Sequence, residues 1–174
     1  MPVGNLEFIK SASGTSVSSL SVTNCFSDKY DVYLITSDTF NPSANVNGKF
    51  RLIDSGGSVI SASEYSYANL NCRSYNTFST NSSTSDNFMG YIFYSDSSQT
   101  HSAGLALYIY NPYDSSSYTF SQHQDSNFNA GAGGGGIGRK AIGVHTSAEQ
   151  ITGINFFPDS LATADLNINV YGVK

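Results

Sequence analysis

Apolar residues in this chain recur at every second position. Leu105, Leu107 and Ile109 alternate with Ala106, Tyr108 and Tyr110, and Leu166, Ile168 and Val170 alternate with Asn167, Asn169 and Tyr171. Nearer the start, Tyr30, Val32 and Leu34 alternate with Asp31 and Tyr33. Successive side chains of a β-strand point to opposite faces of its sheet, so each segment is expected to bury its first-named row and wet the other. Helical spacing is nearly absent, strong helix formers are scarce, and β-branched and aromatic residues suit a pleated surface.

Further strands follow from the same pattern. Leu6 to Ile9 and Val17 to Val22 open the chain, and Tyr65 to Cys72, Phe88 to Tyr94, Tyr118 to Gln122, Ala141 to Thr146 and Ile151 to Phe157 continue it. Phe50 to Ile53 and Val59 to Ala62 flank Asp54-Ser55-Gly56-Gly57-Ser58, which reads as a hairpin because glycine supplies the positive φ of a tight reversal. About ten or eleven short strands with frequent turns predict an all-β protein. The expected architecture is a jelly-roll-like antiparallel two-sheet β-sandwich, one domain over residues 1–174. Two polar or glycine-rich stretches, 76–87 and 125–140, read as loops.

Composition narrows the function. Only 12% of residues are charged while 13% are aromatic, and 39% are hydrophobic, enough to exclude intrinsic disorder. A net charge of −5 and eight scattered basic residues exclude a phosphate-tracking stripe, so nucleic acid is not an expected partner. No window approaches the roughly 18 apolar residues of a membrane-spanning helix, so no membrane insertion is expected. Met1-Pro2-Val3-Gly4 has no basic or apolar leader character, which predicts synthesis in a cytoplasm without a signal peptide. Cys25 and Cys72 are too few for a disulfide scaffold and read as two small buried hydrophobes, with a bridge between them as the alternative.

Catalytic signatures are weak. Residues 131–138 match G-x-G-x-x-G twice, but a strand-like run follows where a dinucleotide site needs a helix. Arg139 and Ala141 break the ending of a phosphate loop. His101, His123 and His145 form no close ligand pair, so a zinc site would have to be assembled from distant strands. There is no G-x-S-x-G elbow, the carboxylates are dispersed, and Asn81-Ser82-Ser83 is a chance sequon without a leader. No catalytic residue, cofactor or metal is therefore expected.

Tyrosine among asparagine, serine and glycine is instead the composition of recognition surfaces, because the ring supplies rigid area at low entropic cost. Tyr108, Tyr110, Tyr113 and Tyr118 surround the Asn111-Pro112 turn and are the candidate binding residues. Packing between subunits or under loops is the competing use of the same rings. Arg139, beside the glycine run, is a further candidate, for an anion cradled by backbone N–H groups.

Several of these segments resemble a known group. Ser11 to Val22, Phe26 to Tyr33, the Phe50 to Ile60 turn region, Ile151 to Phe157 and the Val170-Tyr171-Gly172-Val173-Lys174 ending are similar to small virion structural proteins of tailed bacteriophages, especially phages of marine cyanobacteria. The resemblance is weakest from Asn76 to Lys140. It implies a non-enzymatic tail-fibre or appendage module at the virion surface, with other virion proteins as partners. A homo-oligomer is expected, with a trimer favoured, and loops that contact a host-surface glycan or protein. The alternative is a capsid decoration or cement protein that binds the shell. No shaft is expected before the first strand, which favours a short head over a long fibre.

Overall fold

A computed structural model describes residues 5–95, 103–129 and 134–174. Among these residues the chain forms thirteen strands and no helix: β1 (Leu6–Val17), β2 (Leu20–Val22), β3 (Val32–Ser37), β4 (Phe40–Pro42), β5 (Val46–Asp54), β6 (Tyr65–Arg73), β7 (Ser79–Asp86), β8 (Tyr91–Ser95), β9 (Gly104–Tyr110), β10 (Thr119–Asn129), β11 (Gly135–His145), β12 (Ile151–Pro158) and β13 (Ala164–Val173). They make two antiparallel sheets. The large one runs β1-β13-β3-β9-β10-β11-β6-β7, with β4 also on β13, and the small one runs β2-β12-β5-β8. Nine and four strands depart from the even split of an eight-stranded jelly roll.

Alternation explains the layering. The inward rows of β9 and β13 are the expected ones, Leu105, Leu107 and Ile109, and Leu166, Ile168 and Val170. They share one apolar cluster with Phe50, Leu52, Ile154 and Phe156 of the small sheet. Phe50 and Phe156 stack there at 6.1 Å between ring centroids. Each fully buried aromatic or aliphatic side chain contributes roughly 1.5–3 kcal/mol.

Several expectations are corrected. In β3 the buried residues are Tyr33, Ile35 and Ser37, while Val32 and Leu34 face outward. Tyr33 wins because the backbone N–H of Ser27 donates to its hydroxyl (2.8 Å), which donates in turn to the Ser27 carbonyl (2.9 Å). The hairpin after Phe50 closes by one bridge, Ile53 to Val59, and its second arm does not become a strand.

Both expected loops are largely strand. β7 occupies Ser79–Asp86 inside the polar stretch; as the edge strand beside β6 it buries little and needs no apolar row. β10 and β11 extend through most of 125–140 and pair in continuous register from Thr119 with His145 to Asn129 with Gly135. Here glycine serves close approach: a Cβ on Gly138 would lie 2.7 Å from the Asp125 carbonyl oxygen, and one on Gly135 would lie 2.5 Å from Ser74 and Tyr75. The Gly131–Gly133 part of the glycine run and His101 lie outside the described residues. Cys25 is buried, and burial pushes its thiol up to about 12, whereas Cys72 sits on the outward side of β6 and is exposed. Both thiols are free, so no bridge joins them.

Candidate functional site

Register across the large sheet assembles an apolar outer face. Phe8, Tyr171, Leu34, Tyr108, Gln122, Ile142, Ala68 and Ser82 stand opposite one another in turn, across eight strands. A second row runs Val32, Tyr110, Phe120, Val144 and Ser66. No charged residue stands in either row. Phe8 meets Tyr171 edge-on at 5.7 Å, and Tyr108 stacks with Tyr110 at 6.4 Å. Ile142 is 62% exposed, Phe8 57% and Phe120 45%. Between β10, β11, β6 and β7 the face dips into a groove of about 540 Å³ lined by Phe120, Ile142, Val144, Ala68 and Ser82. Gln122, Ser66 and Ser82 interrupt the apolar side chains, and exposed Lys140 stands on the same side of β11 as Ile142.

The inner side of β10, β11 and β6 carries a buried polar cluster among apolar residues such as Ile137 and Ala141. Asn69 and Asn71 of β6, Ser121, His123 and Asp125 of β10, and Arg139 of β11 are all buried. Arg139 donates from Nε to Asn71 Oδ1 (2.9 Å), from Nη1 to the Phe93 carbonyl oxygen, and from Nη2 to Asn47 Oδ1. Asp125, opposite Arg139 in register, accepts the Phe93 backbone N–H at 3.1 Å. Phe93 lies at φ +53, in the left-handed region, where β8 bulges against β5. Its N–H and C=O are thus held by a carboxylate and a guanidinium reaching across from the other sheet. The Phe93 ring stacks on Phe40 at 5.0 Å. Charge-assisted bonds of this type are about twice as strong as neutral ones, which offsets a backbone strain of about 1–2 kcal/mol.

Burial shapes the ionisation of this layer. Desolvation lowers His123 to about 4, against the hydrogen bond to the Tyr91 carbonyl (2.9 Å), which favours a proton. Asp125 is raised by burial and pulled back by Arg139, whose own proton affinity burial lowers. His123 and Asp125 approach to 4.0 Å, but both side chains are sealed from solvent and face protein.

The sequence candidates separate accordingly. Tyr108 and Tyr110 belong to the outer face; Tyr118, exposed, directly precedes β10, and Tyr113 is half-buried in the turn between β9 and β10. Arg139 does not join Lys140 at the surface, because its guanidinium is engaged inside. The structure adds Phe8, Phe120 and Ile142, which sequence reading missed. The signal was present in Ala141-Ile142-Gly143-Val144, where large apolar residues alternate with minimal ones. It also brings His145 beside Glu64 and Glu149, two residues no spacing rule connects.

Comparison with protein-family models, with curated proteins and with solved structures found no match in any of the three.

Proposed function

We propose that this protein is a non-enzymatic structural module of a phage particle that self-associates through the outer face of its large sheet. The observation that carries the reading is the inverted polarity of the β10–β11 hairpin, with Phe120, Ile142 and Val144 outward and His123, Asp125 and Arg139 inward. A largely aromatic and aliphatic face is stabilised when a second apolar surface covers it. The sequence resemblance to virion structural proteins supports a place at the particle surface, as a short tail-fibre or appendage head. Tyr113 and Tyr118, in and after the 111–118 turn, are then available to a host-surface glycan or protein.

Sedimentation-velocity ultracentrifugation of the purified protein over a concentration series tests the assembly step. The expected species is a homo-oligomer, with a trimer favoured, and Phe120→Asp with Ile142→Asp should leave a folded monomer. Both positions are exposed, so the fold should lose no more than about 1 kcal/mol per substitution. A parent protein that is monomeric at every concentration would refute self-association. If that monomer ordered only on shells, the capsid decoration reading would take its place. Labelled protein located on particles by negative stain tests the virion assignment separately.

A further inference from the structure

The end of β11 and the start of β6 carry a second arrangement, independent of the apolar face. His145 closes β11 opposite Tyr65, whose ring lies tilted against the imidazole at 5.0 Å. Glu64 immediately precedes β6, and its carbonyl oxygen accepts both the backbone N–H of Thr146 (2.8 Å) and the Thr146 hydroxyl (2.9 Å). Glu149 follows in the short connection to β12. His145 Nε2 lies 3.3 Å from Glu64 Oε2 and 3.6 Å from Glu149 Oε1, and the three ligand atoms fall within 4.8 Å of one another.

Three features separate this cluster from an ordinary surface ion pair. The imidazole is fully buried while the carboxylate side chains are 41% and 35% exposed, so a buried nitrogen looks out through two oxygens toward water. The His145 imidazole has no hydrogen-bond partner outside the trio among the described residues, and its Nδ1 is unpaired. Neither glutamate has a Lys or Arg ion-pair partner among those residues, which leaves two carboxylates sharing one imidazole. A metal held at about 2.0–2.2 Å from nitrogen and oxygen ligands separates neighbouring ligand atoms by about 3.0–3.6 Å, the spacing of both His145–glutamate pairs, while the two carboxylate oxygens lie within 4.8 Å of each other. One imidazole and two carboxylates suit a borderline first-row ion more than calcium or a soft monovalent metal.

We propose that Glu64, His145 and Glu149 form a binding site for a divalent first-row cation, best matched by Zn2+, with its remaining coordination positions open to solvent. The site ties the β6 start, the β11 end and the approach to β12. Cation binding should therefore raise the unfolding midpoint, by about 5 °C or more at a hundredfold excess over Kd.

Isothermal titration of the chelator-stripped protein with ZnCl2 tests the proposal, in a Cys72→Ser background that removes the exposed thiol as a competing ligand. One Zn2+ per chain is expected, with affinity weakened at least tenfold by Glu64→Gln and by Glu149→Gln. Both glutamines keep the side-chain volume, and both variants should retain the parent's unfolding midpoint in EDTA, so the result does not depend on replacing the fully buried His145. Absence of saturable binding, or equal affinity in the parent and both glutamine variants, would overturn the site. Neither result bears on self-association, which the Phe120 and Ile142 substitutions read.

Discussion

Two regions of one sheet treat the interior in opposite ways. A single inward row passes from Val170 through Ile35 and Leu107, then through His123 and Ala141 to Asn69. The β13, β3 and β9 part is aliphatic and fully buried; the β10, β11 and β6 part sets Ala141 between polar His123 and Asn69, and Asn69, neighbouring Ser121 and one oxygen of Asp125 find no protein partner. Burial of the first region drives folding without direction, since apolar surface gains equally in many packings. The second is costly, and its hydrogen bonds specify which peptide of β8 faces which side chain. The contrast divides labour between energy and uniqueness.

The sharpest way to break this contrast is to put charge in the aliphatic part. Leu107→Asp or Ile168→Asp should remove more than about 4 kcal/mol, enough to abolish the cooperative transition in urea. A variant that keeps its midpoint would mean that the inward rows are misassigned.

A smaller effect comes from the polar part. Arg139→Met should cost about 3–5 kcal/mol, because it strands the buried Asp125 carboxylate. Adding Asp125→Asn should recover more than half of that loss, which equilibrium unfolding of the single and double variants would measure. Equal stability of both variants would show that the guanidinium acts by packing and not by charge.

Acid gives the smallest effect. His123 titrates near 6.5 when unfolded and near 4 when folded. Between those values the unfolded chain binds more protons, so this residue's contribution is lost as pH falls from 6.5 toward 4, by about 2–3 kcal/mol. His123→Gln can still donate to the Tyr91 carbonyl and should flatten the pH dependence relative to the parent in thermal melts across that window. Identical profiles would place the acid sensitivity elsewhere.

How much of this was legible depended on contrast between alternate rows. Leu105, Leu107 and Ile109 were readable because their neighbours are alanine and tyrosine. In β3 both rows are apolar, since Val32 and Leu34 belong to the exposed face, and alternation could not tell inside from outside. β7 offers no apolar row, so its pairing with β6 was invisible. Arg139 read as a surface charge because its partners Asn71 and Phe93 are 68 and 46 positions away. The tyrosines of the outer face were legible singly; Phe8, Phe120 and Ile142 join them only once register is known. The Glu64, His145 and Glu149 trio likewise depends on bringing together residues 81 positions apart.

The grip on Phe93 bears on solubility as well as on packing. β8 is a rim strand of the small sheet, where unpaired amides would offer a template to a stray extended chain. Turning both the N–H and the C=O of Phe93 inward, onto a carboxylate and a guanidinium, interrupts the template at the bulge. The protein can thus expose a broad sticky face for ordered association while that rim is blunted against the disordered kind.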